Sequence, residues 1–226
     1  MPETLDRRQL KKRRTRIAIQ NTALEMFAAH GYHATTISAI ADAADVAPRT
    51  VTWHFPAKED LLFEDDPFAP DTLGIRIQSR AAGEPTLDAV RDWMAKTMKN
   101  LSSTAPEDPD SVWRQRALRL KVIIADDDLR ARARSAYYKA EQMIAEGIGQ
   151  DLGLPASALA PRLAAMTAVA GLRELHEMWE AQSPGAPPST TELLALVDRV
   201  LDFVRAGIAA LQNEAQPSTS TPDTSS

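Results

Sequence analysis

Apolar residues recur along this chain at intervals of three and four, and no stretch alternates with the period of two that a half-buried strand needs. The pattern predicts helices throughout, an all-α fold. The first helix spans residues 5–30, with Ile19, Ala23, Met26 and Phe27 on one narrow face and Gly31 as its stop. A short second helix follows Thr36 as N-cap, and Ile37, Ile40, Ala41 and Ala44 form its buried stripe. After the tight connection Asp45-Val46-Ala47, Pro48 stands at the first position of a third helix over 48–55. At 100° per residue, Val51 and Phe55 share its inner face. Arg49, Thr52 and Trp53 point the opposite way, with Thr50 and His54 on the flanks. Pro56 ends this helix, and Ala57, Lys58 and Glu59 begin a fourth.

Further along, EDDPFAPDTLG (64–74) carries two prolines and reads as a loop or kink. Thr86 caps a helix in which Leu87, Val90, Met94, Met98 and Leu101 repeat at three and four. Residues 102–110 form a connection, and Trp113, Ala117, Leu120 and Ile124 share a face of the next helix. The segment 125–154 opens with acids and closes on glycines. Two long helices, 157–182 and 191–213, complete the fold. The second starts at Ser189-Thr-Thr-Glu192, a capping-box pattern, and carries a wide stripe of Leu193, Leu196, Val197, Val200, Val204, Ile208 and Leu211. Facing it are small residues, Ala164, Ala165, Ala168 and Gly171. Such a pair of helices suits either an intramolecular core or an interface with a second copy. The last residues, 214–226, end in QPSTSTPDTSS, which lacks apolar residues, and are expected to be disordered. No internal repeat is present.

Composition narrows the class. The 226 residues suffice for one or two domains, and 44% hydrophobic with 25% charged residues is ordinary for a globular chain. The absence of cysteine excludes disulfides, thiolate metal sites and cysteine nucleophiles. No apolar run approaches the ~18 residues of a membrane span, and no apolar leader is present, so a cytoplasmic protein without membrane partners is expected. The net charge of −5 hides an asymmetry. Residues 1–60 carry nine Lys/Arg against seven Asp/Glu, whereas 61–226 carry seventeen against twenty-four. The first sixteen residues alone hold seven basic and two acidic side chains. A basic end on an acidic body suits contact with a polyanion, and equally a solvated terminus.

Three helices within the first 56 residues, the last two short and joined by a tight turn, form helix-turn-helix geometry. A merely solvated face normally holds Glu, Lys and Gln; the outer face of the third helix holds an arginine, threonines and a tryptophan. Arginine reads guanine, threonine contacts thymine methyls or phosphates, and Trp and His donate to backbone oxygens. Lys58 adds a point charge beside backbone N–H groups at a helix start.

Residues 22–62, TALEMFAAHGYHATTISAIADAADVAPRTVTWHFPAKEDLL, resemble the DNA-binding domain of the tetracycline-repressor (TetR) family. The shared pattern is Ala23, Phe27, Gly31-Tyr32, Thr35-Thr36, Ile40-Ala41, Ala44, Val46, Thr50, His54-Phe55, Lys58-Glu59 and Leu61-Leu62. The resemblance implies that Thr36 and Ser38 touch phosphate or a base edge. It places Pro48, Arg49, Thr50, Thr52 and Trp53 on the recognition surface, and makes His54 and Lys58 clamps on the DNA backbone. Three positions depart from the pattern: Asp45 for a small turn residue, Ala47 for a serine cap, and Thr52 for a tyrosine. The resemblance further implies a helix-turn-helix domain at 1–56 and a larger ligand-binding and dimerisation domain at 57–213, with residues 157–213 pairing in a homodimer. Residues 114–134 resemble a subset of the family, typified by the mycofactocin-system regulator, for which acyl-CoA is the ligand.

Candidate ligand contacts are large or polar groups on otherwise apolar faces: Trp93, Met94, Met98, Trp113, Leu120, Tyr137, Tyr138, Met166, Arg173, His176 and Trp179. The cluster Arg114, Arg116, Arg119 and Lys121 suits an anionic ligand or a solvated face. Enzyme chemistry has no foothold. His176 and Glu180 stand at i, i+4, but the second histidine of a zinc-protease pattern is missing, and no P-loop, dinucleotide fingerprint or nucleophile elbow occurs. No catalytic residue, metal site or cofactor is expected. The function implied is a ligand-responsive transcriptional regulator, a repressor released from double-stranded operator DNA by a small molecule such as acyl-CoA or another amphipathic compound. An activator, or a helical binding protein that has lost its DNA contacts, remain as alternatives.

Overall fold

The structure, a computed structural model, describes residues 7–64, 66–104, 109–182 and 189–214, leaving aside the side chains of 102–104, 109, 110, 176, 177, 179–182 and 214. Ten helices occupy these residues: α1 (Arg7–His30), α2 (Ile37–Ala43), α3 (Pro48–His54), α4 (Asp60–Phe63), α5 (Pro70–Gln78), α6 (Thr86–Thr104), α7 (Pro109–Ile124), α8 (Asp127–Leu152), α9 (Leu159–Gln182) and α10 (Thr190–Glu214). No strand occurs among them. The chain divides into two compact units. One comprises Met1–Ala69, Lys99–Ala136 and Ser183–Pro187; the other comprises Pro70–Met98, Tyr137–Gln182 and Pro188–Ser226.

In the first unit, Ile19, Ala23 and Phe27 of α1, Ile40 and Ala41 of α2, Val51 of α3 with its cap Phe55, and Leu61 and Leu62 of α4 are all fully or almost fully buried. Each large side chain here contributes roughly 1.5–3 kcal/mol by leaving water. Gly31 ends α1 at φ 87°, and Thr36 caps α2 by accepting from Ala39 N–H at 3.1 Å. The turn into α3 is made by Asp45 at φ 52°, the non-glycine residue with positive φ among the described residues. Asp is one of the few side chains that tolerate this geometry. α3 itself has Ala47 at its N-cap with no side-chain bond, and Pro48 supplies the preset first turn.

The second unit packs Leu73, Ile77, Leu87, Val90, Ile144, Ile148, Ala164, Ala165, Ala168, Val197, Leu201 and Val204 into one core. The small residues of α9 are therefore used within the chain. A Cβ on Gly171 would lie 2.6 Å from Val200, so α9 and α10 approach more closely than a larger residue allows. The expected capping box holds: Ser189 N–H donates to Glu192 Oε2 at 3.1 Å and Glu192 N–H donates to Ser189 Oγ at 3.2 Å.

Four expectations change. The fourth helix starts at Asp60, not at Ala57, because the Asp60 carboxylate accepts from Ala57 N–H at 2.8 Å and holds 57–59 in a turn. Part of the stretch read as a loop is α5; Pro70 occupies its first position, and Gly74 gives Met143 room, its Cβ position being 2.8 Å from Met143 Sδ. Thr86 is not a side-chain cap. It is the first residue of α6, fully buried, its N–H donating to Asp151 Oδ2 at 2.7 Å while its hydroxyl abuts Gly147. On α7, Val122 and Ile123 are buried and Ile124 is about half exposed, so the inner face is rotated from the expected one. The tail 214–226 lies outside the described side chains.

Candidate nucleic-acid interface

The recognition surface grows from the two-sidedness of α3. With Val51 and Phe55 fully buried, the helical period leaves Arg49, Thr52 and Trp53 exposed, Trp53 at 64%. Pro48, Thr36 and Ser38 are exposed beside them, and Thr50 is half-buried. Thr52 is turned back on its own helix, its hydroxyl donating to Arg49 C=O at 3.2 Å.

His54 and Lys58 are placed differently from the expectation. His54 is only 5% exposed, wedged edge-on against Trp53 and beside Phe55. Its Nδ1 is buried without a hydrogen-bond partner among the described residues. Burial, and then the charges of Arg16 and Lys12, hold its pKa below the ordinary histidine value, so the ring is kept neutral. The rotation of a short helix decides this: residue 54 is three positions from Val51 and shares its inward side. Lys58 points inward as well. Its ammonium donates to Tyr32 C=O at 2.6 Å and lies 4.4 Å from the centre of the Tyr32 ring, and burial lowers its pKa.

Two residues of α1 that were not singled out individually stand next to this surface. Arg16 donates to His54 C=O, pairs with Glu64 at 2.5 Å and lies over the Phe55 ring at 4.2 Å. Lys12, one turn earlier, holds its ammonium 4.4 Å from the centre of the Trp53 ring. Their signal was present in the spacing. Lys12, Arg16, Ile19, Ala23 and Phe27 continue one helical face, so the stripe that buries α1 runs on as cations towards its N-terminal end.

The ligand candidates scatter. In the second unit, Met98 is fully buried, while Trp93 and Met94 are partly buried against the core, Trp93 donating from Nε1 to Thr72 Oγ1 at 3.0 Å. Arg173 lies 5.9 Å from the centre of the Tyr137 ring. Tyr138 and Met166 are exposed and line a groove with Arg162. In the first unit, Trp113 and Leu120 are half-buried on α7. Of the basic cluster, Arg116 is taken by Asp66 at 3.2 Å and by the Phe68 ring at 4.0 Å. The side chains of His176 and Trp179 lie outside the described residues.

Comparison with known proteins agrees with this geometry. Residues 19–64 match the model of bacterial regulatory proteins of the tetR family, and residues 84–209, more than half of the chain, match that of the MftR C-terminal domain. The chain belongs to the TetR family of bacterial regulators. It is similar to the HTH-type transcriptional regulator TcmR of Streptomyces glaucescens, 40% identical over 83 residues that make up 37% of each protein. The match thus spans little more than a third of that relative's length. Among solved structures, NalD, the secondary repressor of the MexAB-OprM multidrug efflux pump in Pseudomonas aeruginosa, superposes with a TM-score of 0.59 at 20% identity, over 84% of this chain and 96% of its own. SmeT, the repressor of the Stenotrophomonas maltophilia multidrug efflux pump SmeDEF, superposes at 0.56 with 18% identity, over 85% and 89%. These two establish the fold. No helix among the described residues is long and apolar enough to cross a membrane.

Proposed function

We propose that the chain is a homodimeric, ligand-responsive transcriptional repressor acting in the cytoplasm, with residues 1–56 reading operator DNA and 57–213 holding effector and partner subunit. The observation that carries the reading is the outward face of α3, where Arg49, Thr52 and Trp53 project from a helix pinned by Val51 and Phe55. A side chain of tryptophan's size left 64% exposed beside arginine is poor design for a solvated surface and good design for a major groove. Arg49, Thr36 and Ser38 are available for base and phosphate contacts.

A single helix-turn-helix binds weakly, and two copies related by a two-fold axis engage half-sites ~34 Å apart. An apolar groove of about 300 Å³ along α9 and α10 supports pairing there; Leu163, Phe203, Gly207 and Leu211 line it, and Phe203 is 71% exposed. Effector binding would favour a state in which the two reading helices lose that spacing. The resemblance of residues 114–134 to the mycofactocin-system regulator, beside the match of 84–209 to the MftR C-terminal domain, favours an acyl-CoA or similarly amphipathic effector, with Trp93, Met94, Tyr137 and Arg173 as its first candidate contacts. The role is regulatory rather than catalytic.

An electrophoretic shift on the region upstream of its own gene tests the core of this reading. A retarded, two-fold symmetric footprint that long-chain acyl-CoA dissolves is expected. No shift at low salt on any upstream fragment sinks it. Arg49→Ala should relax base preference at one position per half-site by about 1–3 kcal/mol.

A further inference from the structure

Both residues expected to grip the DNA backbone are engaged inside the protein: His54 is buried, and Lys58 is bound to the Tyr32 carbonyl. The tyrosine that would reach a phosphate is replaced by Thr52, whose hydroxyl turns to Arg49 C=O. A positive charge nevertheless stands at the edge of the recognition helix. Lys12 is exposed, and its ammonium rests 4.4 Å from the centre of the Trp53 ring. A ring face attracts an ammonium without neutralising it or consuming its three N–H donors. Arg16, the next cation on that face, is committed to His54 C=O and Glu64, which fixes α1 against the end of α3 and so fixes where Lys12 emerges.

We propose that Lys12 is the backbone clamp of the DNA-reading surface, its ammonium donating to a phosphate oxygen beside the groove that α3 enters and held in place by the Trp53 ring. The inference rests on α3 being the DNA-reading helix. The ligand is the phosphodiester of duplex DNA, and the contact carries no base information. Trp53 then has two roles at once. One edge of its ring faces the duplex, and its face keeps a long, flexible side chain from sampling solvent.

Fluorescence anisotropy of the full chain with two labelled duplexes tests this, one from the region upstream of its own gene and one of random sequence. Each is titrated between about 50 and 200 mM salt. Lys12→Ala should weaken both duplexes alike, about tenfold, and flatten the slope of log K against log salt by about one for each copy in the dimer, two in all. Lys12→Arg should keep the slope, and Lys12→Gln should reproduce the alanine result. In a Trp53→Leu background, removing Lys12 should cost less than it does alone. Circular dichroism should show unchanged helicity for the Lys12 variants, whose side chain is exposed. Unaltered affinity and slope in Lys12→Ala overturn the clamp, as does a loss of the slope unit in Lys58→Ala instead. If the unaltered protein shifts neither duplex at low salt, the DNA-reading assignment fails and the clamp falls with it. If it binds and Arg49→Ala changes base preference while Lys12→Ala is silent, the clamp alone falls.

Discussion

His54 shows how one side chain's burial becomes a property of the solution. Its folded pKa lies below the ordinary value because burial and the neighbouring Arg16 and Lys12 disfavour the imidazolium. The unfolded chain therefore takes up the proton more readily. The stability tied to this residue is fully present above the unfolded pKa of about 6.5 and is lost as pH falls through the lower folded value. Urea unfolding at a series of pH values from neutral downward should show that decline, and His54→Leu should flatten it. Lys58 makes a second residue-scale prediction. Lys58→Ala should lower stability by about 1 kcal/mol, the worth of a charged donor on a carbonyl in a half-buried site, because it releases the loop at Tyr32. At the turn, Asp45→Val should cost about 1–2 kcal/mol and Asp45→Gly nothing, read from denaturation midpoints.

Among the elements, the close approach of α6 and α8 at Thr86 and Gly147 sets a sharp limit. A Cβ on Gly147 would lie 2.6 Å from Thr86 Oγ1 and 3.2 Å from Ile77 Cγ2. Gly147→Ala should destabilise by about 1–3 kcal/mol, and less in a Thr86→Ala background, where the colliding hydroxyl is gone. Thermal unfolding of the four proteins of that cycle checks it. Where periodicity was long it was readable: α1, α6, α9 and α10 each repeat their apolar residues over several turns, and caps such as Thr36 and Ser189 announce themselves by type. Where an element is a turn or two long, periodicity has no room to speak. α4 was displaced because Asp60 reaches back three residues, and α5 was hidden because Pro70 and Gly74 read as breakers while acting as a first helical residue and a packing gap. The site divided along the same line. The outward face of α3 follows from Val51 and Phe55, which bury by type. His54 is buried by the rotation of a short helix that also buries Val51, whereas the fate of Lys58 depended on the carbonyl and ring of Tyr32 elsewhere in the chain, which no local pattern encodes.

For the molecule as a whole, charge is segregated along the sequence, and the basic share is concentrated on the exposed first turns of α1. Association with DNA should consequently be steeply salt-dependent even though the chain carries a net charge of −5. The proposed pairing of copies is tested at the same scale. Phe203→Glu places a charge in the groove of α9 and α10, and sedimentation should then show a monomer whose operator affinity has collapsed, with helicity retained.

The ties that run from α1 to residues well past α3 bear on anyone wishing to build a sensor by grafting this reading head onto another effector module. Gln20 donates to the carbonyls of Leu61 and Glu64, Arg16 pairs with Glu64, and α7 belongs to the same compact unit as α1. A splice directly after Pro56 would strip these partners and expose Phe27 and its neighbours. The compact unit that carries the reading helix is discontinuous in sequence, and a chimera that keeps these partners imports 99–136 along with the first 69 residues.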